Sequence, residues 1–296
     1  MTHNTSSARR RFLISGGSLA ALHSLGALAA TSSKAATARA PVLFIGHGSP
    51  MNAIQDNRFT RSLQALGKSL PRPQAMLVVS AHWLTPGATG VLVHERPETI
   101  HDFSGFPAAL NTMQYPAPGA PALAREAAAL VRSARVQPTR DWGLDHGTWT
   151  VLHQLYPQAD VPVFQLSIDY AKPPAFHHAV GRELSALRDR GVMIIGSGNV
   201  VHNLRATMRG RPESDKAGQP WAQAFDDAFA QALQARDDKR LLDYSSLPGA
   251  ATAVATPDHY FPMLYALGAA APDEAAKTVF SGFHSGTLSM RCFQFG

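Results

Sequence analysis

Three short apolar runs in this chain each lead, within a few residues, to a histidine. Val42-Leu43-Phe44-Ile45 runs through Gly46 to His47. Met76-Leu77-Val78-Val79 runs through Ser80-Ala81 to His82, and Val192-Met193-Ile194-Ile195 runs through Gly196-Ser197-Gly198-Asn199 towards His202. Runs of about four to eight apolar residues, rich in β-branched types and bounded by Gly or Pro, read as strands buried on both faces. In open α/β sheets the carboxyl ends of such strands face the ligand crevice. The three imidazoles are therefore candidates for one site. Imidazole is the commonest side-chain metal ligand, so the residues point first to a metalloenzyme.

The remaining pattern is consistent with such a sheet. Strand-like stretches at 42–46, 75–80, 89–94, 161–168 and 192–195 alternate with helix-like stretches at 57–67, 122–134, 147–155, 175–190, 221–235 and 261–269. Residues 278–295 alternate as a terminal strand pair, and 99–120, rich in Gly, Pro and aromatic residues, reads as a loop over the site. The expected fold is a single α/β domain over residues 41–296, with a central mixed, largely parallel sheet flanked by helices.

Residues 1–38 read differently. Arg9-Arg10-Arg11-Phe12-Leu13 precedes a weakly apolar stretch, Ile14 to Ala30, and small residues follow at Ala36-Thr37-Ala38. A basic region, an apolar region and an A-x-A site make an export signal, and paired arginines before Phe-Leu resemble the twin-arginine class. Cleavage is expected after Ala38. The implied partner is the twin-arginine export machinery, the implied location periplasmic or otherwise exported, with no stable membrane association after processing. Residues 1–40 hold five basic side chains (Arg9, Arg10, Arg11, Lys34, Arg39) and no acidic one, leaving 22 of the 27 basic residues against all 21 acidic ones. The basicity belongs to the leader, and no basic stripe with interleaved aromatics argues for nucleic acid. The single cysteine, Cys292, excludes an internal disulfide and a zinc–thiolate framework. A metal here is held by nitrogen and oxygen.

The histidine contexts are Gly46-His47-Gly48-Ser49-Pro50, Ser80-Ala81-His82-Trp83, Asp145-His146-Gly147, His202-Asn203 and Pro257-Asp258-His259-Tyr260. None has H-E-x-x-H spacing, so the site is assembled from distant segments. Ser49 and Ser197 do not fit the G-x-S-x-G elbow, and Val201 breaks a G-x-G-x-x-G fingerprint after Gly196 and Gly198.

These segments, with Ile100-His101-Asp102-Phe103-Ser104-Gly105-Phe106-Pro107, Trp142-Gly143-Leu144-Asp145 and Gln165-Leu166-Ser167-Ile168-Asp169, resemble the class III extradiol ring-cleavage dioxygenases, in particular their 4,5-DOPA dioxygenase branch. The resemblance spans residues 41–296. It implies His47, His82 and His259 as metal ligands. His202 matches a further zinc ligand in this branch and an acid/base histidine in the wider superfamily, and both roles stay open. His146 matches a second-sphere histidine; His146 and His202 are the expected proton carriers, since a histidine near its reference pKa of about 6.5 takes and returns a proton at neutral pH. Asp145 is a candidate to orient His146, and His101 and Tyr260 to meet the substrate. Many relatives carry a carboxylate where His259 stands. The implied reaction opens a DOPA-like catechol with O2. The implied metal is Zn2+ in protein as isolated and Fe2+ for ring cleavage, because zinc has no redox chemistry. Two other readings stay open: a zinc hydrolase, and a non-enzymatic metal- or partner-binding protein of the Memo type.

Overall fold

The computed structural model describes residues 39–207 and 217–296; the export-signal reading of 1–38 lies outside the described residues. In chain order the elements are β1 (Val42–Gly46), α1 (Arg58–Ser69), β2 (Ala75–Thr85), β3 (Thr89–Leu92), α2 (Ala108–Asn111), α3 (Pro121–Leu130), β4 (Val136–Thr139), α4 (His146–Leu155), β5 (Val163–Asp169), α5 (Pro174–Leu184) and β6 (Val192–Gly198). There follow α6 (Pro220–Gln234), α7 (Asp238–Leu242), α8 (Ala250–Ala253), α9 (Phe261–Ala269), β7 (Lys277–Phe280), β8 (Phe283–His284), β9 (Leu288–Ser289) and β10 (Cys292–Phe295).

Eight strands form one sheet in the order β4-β3-β5-β2-β6-β1-β10-β7. Its centre, β5-β2-β6-β1, is parallel throughout. β3 meets β5 antiparallel, and β10 and β7 close the other side antiparallel. The sheet is thus mixed and largely parallel, with helices on both faces, as the alternating pattern implies.

Burial follows the strand period of two. Val42, Phe44, Leu77 and Val79 face one apolar layer with α5, α6 and α9, whereas Leu43, Ile45, Met76 and Val78 face another with α1 and α4. Every residue of β1, β5 and β6 is buried, which accounts for the apolar runs of β1 and β6; β5 also buries Gln165, Ser167 and Asp169, whose side chains hydrogen-bond to Asp145, Thr85 and the Gly87 N–H. Helix α9 is buried at all nine positions, as a helix apolar around its whole circumference requires.

Two elements depart from the sequence pattern. β2 does not end at Ser80 but runs to Thr85. Its pairing with β5 jumps from Val79↔Leu166 to Leu84↔Ile168, so the residues between them, His82 included, form a bulge. Helix α3 stops at Leu130 although Ala-rich propensity carries on. The Glu183 carboxylate accepts from the backbone N–H groups of Arg132 and Ser133 and turns the chain out of the helix. The chain then adds β4, a four-residue edge strand that tolerates Pro138 because it lies at the margin.

His177 marks the α5–α9 contact. Its ring stacks on Phe261 with centroids 4.1 Å apart, Tyr265 donates to Nδ1 at 3.0 Å, and Nε2–H donates to the Lys172 carbonyl at 3.2 Å. Burial pushes its pKa down to about 4. A folded-state value below the unfolded 6.5 leaves stability intact above pH 6.5 and removes it as pH falls towards 4. The loss attributable to this one ring is about 2 kcal/mol at pH 5. Urea unfolding at pH 7.5 and pH 5 is expected to show a pH-dependent loss smaller by about that amount in His177→Gln than in the parent. An equal loss in both proteins refutes the assignment.

Candidate metal centre and active-site cavity

Five histidines converge on the carboxyl edge of β2, β6 and β1. His47 follows β1, and its N–H donates to the Gly198 carbonyl at 3.0 Å, one step beyond the β1–β6 ladder. His82 is aimed by the bulge in β2; bulges commonly re-aim side chains beside active sites. His202 follows β6 and bridges to Val254 and Leu288. His259 closes a short 3-10 turn, Pro257–His259, leading into α9, and His146 opens α4. All five line one cavity of about 290 Å³, whose walls also include Phe103, Phe106, Leu204 and Leu288.

Close backbone approach makes this possible. A Cβ on Gly147 would stand 2.5 Å from Ser80 Oγ and 2.8 Å from His82 Cδ2, and one on Gly198 would stand 2.2 Å from the His259 carbonyl oxygen. Ring centroids of His47, His82 and His259 lie 5.1 to 5.3 Å apart. His146 is closer still to His82, at 3.8 Å, and His202 stacks parallel on His259 at 3.5 Å.

The hydrogen bonds settle which nitrogen of several rings faces the cavity. Ser197 Oγ donates to the Gly147 carbonyl at 2.6 Å, so it accepts from His47 Nδ1–H at 2.9 Å. His146 Nδ1–H donates to Asp102 Oδ2 at 2.9 Å, while His146 N–H donates to Asp102 Oδ1. His259 Nδ1–H donates to Asp258. His82 Nδ1 lies 3.6 Å from the same Asp102 oxygen. With Nδ1 so engaged, Nε2 carries the free lone pair, the arrangement that orients metal-ligating histidines.

A divalent ion fits this donor set. His47 Nε2 and His82 Nε2 are 3.2 Å apart. Two ligands at about 2.1 Å from one ion, in adjacent positions, stand about 3.0–3.4 Å apart. Donor atoms of His47, His82 and His146 lie within 4.8 Å of one another, and those of His202, His259 and Asp258 form a second such group. The four expected ligands therefore border one cavity, but the group that holds His47 and His82 is completed by His146.

Electrostatics favour uncharged rings. Burial, reinforced by neighbouring histidines, pushes His47 and His82 well below the ordinary imidazole value. Burial and His259 push His202 down to about 3, well under the expected 6.5, so at neutral pH it is a lone-pair donor and not a standing acid. Burial raises the Asp102 carboxyl, but the bonds from His146 outweigh it and hold Asp102 below the usual range. The same balance, with His259 as partner, holds Asp258 low.

Three expected roles are not borne out. Tyr260 is fully buried away from the cavity and donates its hydroxyl to the Leu241 carbonyl at 2.9 Å, because its ring packs with Tyr244 in the core. His101 donates Nε2–H to the Met113 carbonyl at 2.9 Å and packs on Phe103, which lines the cavity where His101 does not. Asp145 does not hold the His146 ring. It caps α4 and binds Ser80, Gln165 and Trp142, and Asp102 orients His146 in its place. Asp102 was visible in the His101-Asp102-Phe103 segment but had no partner in sequence. His284, without motif context, also lines the cavity.

Removing Asp102 tests the pairing. Asp102→Ala is expected to weaken metal retention about 10–100-fold in chelator competition while the far-ultraviolet circular dichroism stays unchanged. Undiminished retention contradicts it.

Comparison with known proteins agrees with this geometry. Residues 41–292 match the family described as the catalytic LigB subunit of aromatic ring-opening dioxygenase. A protein of Escherichia coli (strain K12) named 4,5-DOPA dioxygenase extradiol is 48% identical over 262 residues, covering 87% of this chain and 95% of the relative. A 4,5-DOPA dioxygenase extradiol of Beta vulgaris is 36% identical over 259 residues, covering 85% and 95%. The crystal structure of an uncharacterised Escherichia coli K12 protein superposes with a TM-score of 0.75 at 44% identity, covering 87% of this chain and 100% of that one. These matches do not favour the hydrolase or Memo-type readings, and the chain belongs to the LigB family of extradiol aromatic ring-opening dioxygenases.

Proposed function

We propose that this enzyme opens the ring of a catechol bearing a DOPA-like side chain, using O2 and a divalent metal held by His47, His82 and His259, with His202 as a fourth donor only in the zinc form. The observation that carries the reading is the set of imidazoles bordering one cavity, with the Nδ1 of His47, His146 and His259 engaged away from it. When bound, Fe2+ supplies open positions for two diol oxygens and O2, and the redox activity that Zn2+ lacks. Zinc outranks Fe2+ in affinity for such nitrogen donors, so protein as isolated is expected to carry zinc.

The chain's own residues supply the rest. Phe103, Phe106, Leu204 and Leu288 offer an aromatic ring an apolar slot. His146, anchored through Nδ1 to Asp102, keeps Nε2 free to accept a catechol proton. His202, uncharged at neutral pH, stands beside His259 as a second acceptor.

Anaerobic loading with Fe2+, then L-DOPA and O2, is expected to give oxygen uptake and a yellow ring-opened product, with no uptake by the zinc form. His47→Ala is expected to lose the metal. His146→Gln is expected to keep it and lose about 10²-fold or more in kcat. No uptake by the iron form, with ester hydrolysis by the zinc form, overturns the reading.

We further propose that residues 1–38 direct export through the twin-arginine route, on the basic and apolar pattern around Arg10-Arg11-Phe12-Leu13. Replacing Arg10 and Arg11 together by Lys is expected to retain the protein in the cytoplasm. Unchanged periplasmic recovery contradicts this.

A further inference from the structure

One wall of the cavity is the hairpin β8–β9. The Thr287 N–H donates to the His284 carbonyl at 3.2 Å, closing a turn in which Ser285 has φ 52° and Gly286 φ 72°. Two successive left-handed residues make a type I′ turn, whose first central position favours Asn, Asp or Gly. Serine there is strained, and such outliers persist where the surroundings over-determine them, often at functional sites. The surroundings do so here. Gln219 N–H donates to the Gly286 carbonyl, Asn203 N–H to the Thr287 carbonyl and Ser289 N–H to the Val201 carbonyl, which ties the hairpin to the segment carrying His202. Among the described residues, Ala159 and Arg236 are the other non-glycine residues with positive φ, and neither lines the cavity.

The hydroxyls on the cavity wall differ in their engagement. Ser49 Oγ accepts from Met51 N–H at 3.2 Å, and Thr207 Oγ1 meets Thr287 Oγ1 at 3.3 Å. Ser285, 9% exposed, has no side-chain hydrogen-bond partner among the described residues. No Asp, Glu, Lys or Arg among the described residues lines the cavity. The polar side chains that the described residues offer a substituent on a bound ring are hydroxyl and imidazole groups.

We propose that Ser285 is a specificity-determining residue, its hydroxyl donating a hydrogen bond to the carboxylate on the side chain of an amino-acid-type catechol. The proposal rests on the catechol reading of the cavity. It is tested with the full chain loaded with Zn2+, so that binding is read without turnover. Titration calorimetry compares L-DOPA with 4-methylcatechol, which lacks the carboxylate, in the parent, Ser285→Ala and Ser285→Gly proteins. Both variants are expected to bind L-DOPA about tenfold more weakly. Their affinity for 4-methylcatechol is expected to stay within about twofold, since the lost bond is to a charged group. Ser285→Gly is also expected to raise the thermal midpoint above that of Ser285→Ala, because glycine relieves the left-handed strain. Equal weakening of both ligands, unchanged L-DOPA affinity, or no stabilisation by glycine overturns the proposal while leaving the catechol reading standing. Failure of the parent to bind either ligand overturns both.

Discussion

Holding imidazole lone pairs toward one cavity is the constraint that the rest of the site depends on. His47 and His82 present nitrogens 3.2 Å apart. Charging both would set like charges against each other where little water screens them. Burial prevents this by lowering their pKa values, and acceptors behind His47, His146 and His259 hold the Nδ1 protons on the far side. Each acceptor is itself fixed: Ser197 by the Gly147 carbonyl, Asp102 by the His146 N–H, and Asp258 by Thr256. A metal entering such a site meets little competition from protons and little need to reorient rings.

The topology explains why these residues meet. β2, β6 and β1 are neighbours and parallel, so their carboxyl ends lie side by side. Two of the three histidines come from loops that leave this edge, and the bulge delivers the third from within β2. The remaining two come from helix starts that pack against it. Gly147 admits α4 to within contact of Ser80 and His82, and Gly198 admits the His259 backbone. Small residues at these points are a requirement of the convergence.

Much of this was legible in the chain because it was written in local pattern. Unbroken apolar runs marked β1 and β6, which are buried on both faces, and the histidines beyond them marked the edge. What depended on partners distant in sequence was not legible. The end of α3 is set by Glu183, more than fifty residues away, so Ala-rich propensity overran it. Asp145 precedes His146, and adjacency suggested pairing; as a helix cap its carboxylate faces the other way, while Asp102 reaches the ring from a loop. Tyr260 follows His259 but begins a helix buried on every side, so its hydroxyl turns into the core. His284 stands in no recognisable motif because a short hairpin, not its neighbours, brings it to the cavity.

Asp102 and Asp145 show how burial alone does not decide what a carboxylate does. Asp145 is fully buried, and burial together with the charge of Asp102 raises its pKa despite bonds from Gln165 and Ser80. Its partners lie on β2, β5 and the first turn of α4, so it joins the sheet to the helix and sets the backbone from which His146 and Gly147 project. Asp102 lies in the loop over the site, accepts from His146 and is held low. The buried carboxylate therefore places the frame and the loop carboxylate places the rings. This division lets the loop carrying Phe103 and Phe106 define the cavity wall while it orients the imidazole beside it, so substrate fit and ring orientation share one segment.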